Sequence, residues 1–289
     1  MSTLRGIVSL LLLTLTTLIW GVPLLMMTLV KLLTPGHRWR LAVLKVINAI
    51  ALNWIGLNLW WMRHWLKPQL DIELPEGLSR RRGWLVLSNH RSWTDIFVLF
   101  FAMHRRIPMP RFFLKRVLIW VPIVGLAWWA LEYPFMRRMT AEQRARHPHL
   151  ARRDQQATER MCDRAREMPI AIFNFVEGTR FTPVKHAAQG APYRHLLRPR
   201  AGGVAQVLNL LGDQLAGIID VTLHYDNPNP SFWGYLCGHE GRIVMQTRIL
   251  SIEDWMHNGN YQDNASDKER FQSWINALWH QKDERLSHF

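Results

Sequence analysis

Apolar and polar positions change their pattern near residue 66. Gly6 to Val30 is an uncharged run bounded by Arg5 and Lys31. Wound as a helix it reaches about 38 Å at 1.5 Å per residue, more than a hydrocarbon core of about 30 Å. The run is too long for the apolar part of a signal peptide, and no small-x-small cleavage site follows it. The expectation is a retained membrane element. Leu41 to Met62 is a second apolar stretch, interrupted by Lys45, Asn48, Asn53 and Asn58. Those polar positions fit a helix lying in the interface, or the hairpin partner of the first helix, better than a full span. An ordinary buried helix of a soluble domain is the competing reading. In the interfacial case Trp54, Trp60, Trp61 and Trp65 sit at headgroup depth.

From Lys67-Pro68 onward, short apolar runs alternate with polar segments and turn signals. Gln69 to Leu74 reads as a strand and Pro75-Glu76-Gly77 as a turn. Trp84 to Ser88, Pro169 to Val176 and Leu215 to Tyr225 read as buried strands, and Arg242 to Leu250 as another. Val117 to Met136 carries Pro122, Gly125 and Pro134 and reads as a short helix, a turn and a strand. Arg137 to Glu167 has nine Arg against five acidic residues and reads as a helix with a solvated face. Phe271, Trp274, Ile275, Leu278 and Trp279 recur at helical spacing, with Ser266 and Glu269 as a capping box. The pattern predicts an α/β fold, a mixed sheet flanked by helices, preceded by a two-helix membrane-anchoring segment. The expected division is residues 1–66 for the anchor and 67–289 for the catalytic domain.

Composition narrows the function. The net charge is +14 and 48% of the 289 residues are apolar, which excludes disorder. A mean hydropathy of −0.09 argues against a multi-span transporter. Cys162 and Cys237 are the only cysteines, so there is no disulfide scaffold and no metal-spaced pair, and a reducing compartment fits. The positive excess favours an anionic partner: a phospholipid surface, nucleic acid or a phosphorylated small molecule. The 15 tryptophans favour the membrane.

Two strand-end turns carry the chemistry. In Ser88-Asn89-His90-Arg91-Ser92-Trp93-Thr94-Asp95 a buried strand gives way at once to a polar turn, the usual place for a site. A histidine there can take a proton near neutral pH, and a carboxylate on its far nitrogen would fix the tautomer. Five positions on a helix are about 140° apart. His90 and Asp95 can therefore pair only if His90 is in the loop, with Ser92 as N-cap and Asp95 in the first turn. The alternative is a plain capping arrangement with an incidental histidine. The second turn is Phe175-Val176-Glu177-Gly178-Thr179-Arg180. Gly178 permits a tight turn, Arg180 has planar donors suited to a phosphate, and Glu177 could orient Arg180 or bind a substrate hydroxyl. The alternative here is a strand-to-loop turn with a surface ion pair. Arg138, Lys115, Lys185 and Arg200 are further basic candidates, each also readable as a solvated charge.

Asn89-His90-x4-Asp95 followed by Glu177-Gly178-Thr179-Arg180 resembles the glycerolipid acyltransferase family, which includes the 1-acylglycerol-3-phosphate acyltransferases. Phe135-Met136-Arg137-Arg138 is similar to the family's intermediate motif, and Ile218-Ile219-Asp220-Val221-Thr222 stands in the place of its fourth. The resemblance covers roughly residues 84 to 225. It implies that His90, oriented by Asp95, is the general base on the free hydroxyl of a lysophospholipid, most simply lysophosphatidic acid. That oxygen would attack the thioester of acyl-CoA or acyl carrier protein, with no acyl-enzyme, metal or bound cofactor. Arg180 and Arg138 would hold the acceptor phosphate in a pocket shaped by Glu177, Gly178 and Thr179. Asn89 and nearby backbone N–H groups are candidates for the oxyanion. Val176 replaces the common Pro, and the fourth motif lacks the frequent Val-Pro form. Both departures resemble a subgroup that includes lysocardiolipin- and plant-type enzymes. The implied partners are a phospholipid bilayer, the lysophospholipid and the thioester donor, with no nucleic acid. The implied location is a bacterial inner membrane, cytoplasmic face. The rivals are a remodelling acyltransferase with another headgroup and a basic membrane-tethered nucleic-acid- or lipid-binding protein without catalysis.

Overall fold

A computed structural model describes residues 2–137, 146–259, 261 and 264–289. Two long helices come first: α1 (Ser2–Leu33) and α2 (His37–Trp61), joined through Gly36 at φ 80°. Both are long and apolar enough to cross a membrane by length and composition. Hydroxyls within α1 stay satisfied in an apolar setting because Thr14, Thr17 and Thr28 donate to the carbonyl four residues back at 2.7–2.8 Å. The asparagines that interrupt the second apolar run have protein partners. Asn58 Oδ1 accepts from Thr16 of α1 (2.9 Å) and from Trp61 Nε1 (2.8 Å). Asn48 accepts from Arg111, and Asn53 from Arg105. Thus α2 is the hairpin partner of α1; Asn48 and Asn58 are buried against protein, whereas Lys45 and Asn53 are exposed. Of the four tryptophans expected at headgroup depth, Trp60 and Trp65 are exposed, whereas Trp61 is buried.

The sheet is mixed, as expected. Its strands are β1 (Gln69–Ile72), β2 (Gly83–Ser88), β3 (Pro110–Phe112), β6 (Ala171–Phe175), β7 (Leu215–Tyr225) and β8 (Arg242–Leu250), in the order β1-β8-β7-β2-β6-β3. Only the β7–β8 pairing is antiparallel. The short pair β4 (Leu114–Lys115) and β5 (Phe135–Met136) lies apart. Strands β3 and β4 are absent from the sequence-based reading, because three and two residues beside Pro110 give no period to detect. Helix α3 (Thr94–Met103) follows β2. Between β4 and β5 the chain forms a 3₁₀ turn (Arg116–Trp120) and the helix α4 (Val124–Ala130).

The near-continuous apolar strands reflect cover on both faces. Trp84, Val86, Phe173, Ile219 and Val221 pack with Ile47, Ile55, Leu59 and Met62 of the hairpin region and with α3. On the other face Leu85, Leu87, Ile172 and Ile218 meet α5 (Pro148–Glu167), α6 (Ala201–Leu211) and α7 (Ala265–Leu286), where Trp279 is wholly buried. The N-cap of α7 is Asn264, whose side chain accepts from Ser266 N–H. The helix therefore begins earlier than the Ser266–Glu269 box implies. Hairpin and sheet share one apolar cluster.

Candidate active site

Strands β2 and β6 are parallel neighbours with Ser88 opposite Phe175. The loops that follow them emerge side by side. Phe181 N–H donates to His90 O at 2.8 Å, and Val176 N–H to Ser88 O at 3.3 Å. The Arg91 guanidinium lies over the Phe181 ring and that of Arg180 over the Trp93 ring, so each loop clasps the other. Sheet register thus brings together two motifs that stand far apart along the chain.

His90 is in the loop, and its Nδ1 lies 2.7 Å from Asp95 Oδ2. Helix α3 starts at Thr94, whose N–H donates to Ser92 Oγ at 3.2 Å. Asp95 folds back over the turn: Oδ2 also accepts from the N–H of Arg91 (2.7 Å) and of Ser92 (3.1 Å). Its other oxygen accepts from the Tyr225 hydroxyl at 2.5 Å. A carboxylate accepting this many donors holds the imidazole proton on Nδ1, leaving Nε2 as the lone-pair nitrogen. The imidazole stacks on Phe175 with ring centroids 3.9 Å apart. Burial and the adjacent Asp95 push the Tyr225 phenol well above its usual range. It remains a donor. Tyr225 is remote from Asp95 in the chain, and no local pattern marks it. Only the length of β7 could have hinted that its end reaches this turn.

His90, Thr179 and Arg180 line one cavity of about 580 Å³. Its remaining wall is almost wholly apolar. It runs between the hairpin (Leu13, Leu24, Ile55) and the sheet side (Phe97, Phe112, Phe175), with Lys115 as a further charge. Gly178 adopts φ 70°, which a side chain would resist, and a Cβ there would touch Arg200 Cδ at 3.5 Å. Lys185 Nζ donates to Thr179 Oγ1 (2.8 Å) and to Arg180 O (2.9 Å). Its ammonium is held below the usual lysine value by partial burial, then by Arg180 and Lys115. Arg180 has no carboxylate within salt-bridge distance among the described residues. With Lys185 and Lys115 close by, this corner is a cluster of positive charge.

Two expected roles change. Asn89 is not free for an oxyanion: its Nδ2 donates to Leu223 O (2.9 Å) and its Oδ1 accepts from Leu223 N–H (2.8 Å), pinning β2 to β7. Glu177 neither lines the cavity nor bonds Arg180. It is wholly buried, and neither oxygen has a hydrogen bond of normal geometry, the backbone of Leu197 being its one weak donor. Burial, with Asp95 adding to it, raises its carboxyl well above the usual value, against Leu197, Lys282 and Arg91. Between the unfolded and folded values the native chain keeps a proton that the unfolded chain has lost. This group's stabilisation is therefore full below about pH 4.3 and drains away as pH rises through the folded value. Glu177→Gln should keep the fold and flatten the decline of Tm as pH rises above about 4.3. A steeper decline in the variant would contradict this. Arg138 lies outside the described residues. Among the described residues no group of His, Cys, Asp or Glu is arranged to hold a metal.

Comparisons with known proteins agree with this architecture. Residues 69–225 match the family described as acyltransferase. The human 1-acyl-sn-glycerol-3-phosphate acyltransferase gamma is 30% identical over 178 residues, 58% of this chain and 43% of the relative. The delta enzyme of Mus musculus is 26% identical over 213 residues, 69% and 51% respectively. The chain spans about half the length of these curated relatives. The crystal structure of the 1-acyl-sn-glycerophosphate acyltransferase PlsC from Thermotoga maritima superimposes with a TM-score of 0.51 at 14% identity, covering 96% of this chain and 98% of that one. The two share the fold.

Proposed function

This chain belongs to the acyltransferase family, and from that premise we propose that it moves a fatty acyl group from a thioester to the free hydroxyl of lysophosphatidic acid, giving phosphatidic acid. One observation carries the reading. The imidazole edge and an unneutralised guanidinium open into the same apolar cavity, at the size of a ligand site. A molecule that uses all three features has a nucleophilic hydroxyl, a nearby phosphate and a long chain.

In this reading the acceptor hydroxyl gives its proton to His90 Nε2 as its oxygen attacks the thioester carbonyl carbon. The tetrahedral adduct collapses, the C–S bond breaks, and the departing sulfur takes the proton from the imidazolium. Asp95 holds the imidazole and steadies its transient charge. Arg180, with Lys115 and Lys185 nearby, holds the phosphate, and Arg138 is a further candidate. Positioning by such contacts is worth several powers of ten. Coenzyme A and acyl carrier protein are both suitable leaving thiols.

We further infer that α1 is embedded in one leaflet rather than spanning the bilayer. Arg5 bonds the carbonyls of Trp65 and Leu66 near one end. Lys31 bonds Ala130 O and Glu132 at the other. A spanning helix would carry these two ends to opposite sides of the membrane, yet both are tied to one folded unit. The membrane would be the bacterial inner membrane, with the catalytic portion on the cytoplasmic side.

Arg180→Ala tests the acceptor assignment. With a panel of lysolipids and one donor, wild type should prefer lysophosphatidic acid. The variant should raise its KM by about tenfold or more, the loss of one charge-assisted contact, with little change for acceptors lacking a terminal phosphate. An unchanged KM would remove Arg180 from the phosphate site.

A further inference from the structure

The stretch from Arg116 to Ala130 forms one wall of the cavity through Leu118, Ile123, Val124 and Trp128. Its other side turns outward. Trp120 is 82% exposed and Val117 64%, with Val121, Leu126 and Trp129 also exposed. No described element covers this face, and an apolar patch of this kind marks a contact surface. Three features say what covers it. The patch continues the apolar outer face of α1, where Leu18, Ile19 and Val22 are exposed. The two meet at backbone range, since a Cβ on Gly21 would lie 2.6 Å from Ile123 Cγ2. Exposed Lys115 and Arg116 stand at the start of the patch, as anionic headgroups require. Ile123 itself holds φ 62°, ψ −57°, with Val124 N–H donating to Pro122 O at 2.6 Å. This tight turn is unfavourable for a β-branched residue, and it joins the 3₁₀ turn to α4.

We propose that residues 116–130 are a second bilayer-inserted surface, seated in the same leaflet as α1. The closed contact of Ile123 with Gly21 joins this surface to α1, and the cavity that the two line together, with His90 on its wall, then lies against that leaflet. The inference rests on the lysophospholipid reading above and adds a surface that the hairpin does not supply.

The test uses the full chain. Cys162 and Cys237 are buried, so Trp120→Cys can be labelled selectively with an environment-sensitive fluorophore, and Lys268→Cys, on a helix of the opposite face, serves as control. Vesicles of phosphatidylcholine and phosphatidylglycerol in equal parts should blue-shift the label at residue 120 and leave that at 268 unchanged. In parallel, Val117→Glu with Trp120→Glu should acylate a dispersed short-chain acceptor at close to the wild-type rate. With a long-chain acceptor embedded in those vesicles it should lose about tenfold or more, two acidic groups now facing an anionic surface. No shift at residue 120, or equal rates on the two presentations, overturns the proposal. If wild type acylates neither acceptor, the acyltransferase reading itself fails, and the fluorescence result still decides the insertion.

Discussion

Replacing His90 with Ala is expected to lower acyl transfer by about 10³-fold or more while the protein still binds vesicles and melts as wild type does. General-base catalysis contributes roughly 10²–10⁴-fold on its own, and the residue proposed as base is held in place. Its Nδ1 is fixed by Asp95, its ring rests on Phe175, and Asp95 is fixed by two backbone N–H groups and Tyr225. Nothing else on the described cavity wall has an unshared pair suited to the role: Lys115 and Arg180 are cations, and Thr17, Thr179 and Tyr133 are weak bases. Asp95 keeps both backbone N–H donors and the Tyr225 hydroxyl after the truncation, so the buried carboxylate stays satisfied and the fold survives. Initial rates with a thioester donor, together with thermal melts of both proteins, decide the matter. A variant that turns over near the wild-type rate would remove His90 as the base.

The second large effect is on stability. Asp220 is wholly buried, with Lys282 Nζ at 2.6 Å, Arg285 at 2.8 Å and Arg248 Nε at 3.0 Å. Lys282 is itself wholly buried and also donates to Val221 O. Burial drives the Lys282 amine down to about 8 against the pull of Asp220. The Asp220 carboxyl, which burial alone would raise, is held below its usual value by Lys282 and Arg285. Asp220→Ala leaves an uncompensated ammonium at the centre of the α7 packing, a change that typically costs about 3–5 kcal/mol. Against a total of roughly 5–15 kcal/mol that is a lowering of Tm by about 6–20 °C. Asp220→Ala with Lys282→Met removes both charges and should recover most of the loss, because Arg248 and Arg285 reach water. A single variant that melts within about 2 °C of wild type would show that the network carries no such weight.

The sequence showed most where one local signal was enough. The limits of β7 and β8 follow from apolar runs between turn signals. The angular offset of two residues five positions apart on a helix is enough to place His90 in a loop. Other features depend on pairings between distant segments. Tyr225 reaches Asp95 from the far end of β7, and Lys282 reaches Asp220 from the last helix. The register of β2 with β6, which joins the two loops, leaves no local trace either. Glu177 looks like a ligand residue because carboxylates in turns usually face water, yet here the loop closes over it. Asn48, Asn53 and Asn58 left an interfacial helix and a hairpin partner of α1 both open, because a polar residue in an apolar run looks the same whether it meets headgroups or protein donors; the structure shows the hairpin. The hairpin's role as a wall of the cavity came from packing alone.

The decisive measurement is a product balance on purified wild type in vesicles. Free thiol and phosphatidic acid are followed together, with an acyl thioester and lysophosphatidic acid supplied together and then with the acceptor left out. The expected result is thiol and phosphatidic acid appearing in equal amounts, and no thiol without the acceptor, because the only nucleophile is the acceptor's own hydroxyl. Thiol released without acceptor, or a burst of thiol ahead of product, would mean a hydrolase or an acyl-enzyme and would contradict a single pocket in which His90 and Arg180 act on one lipid.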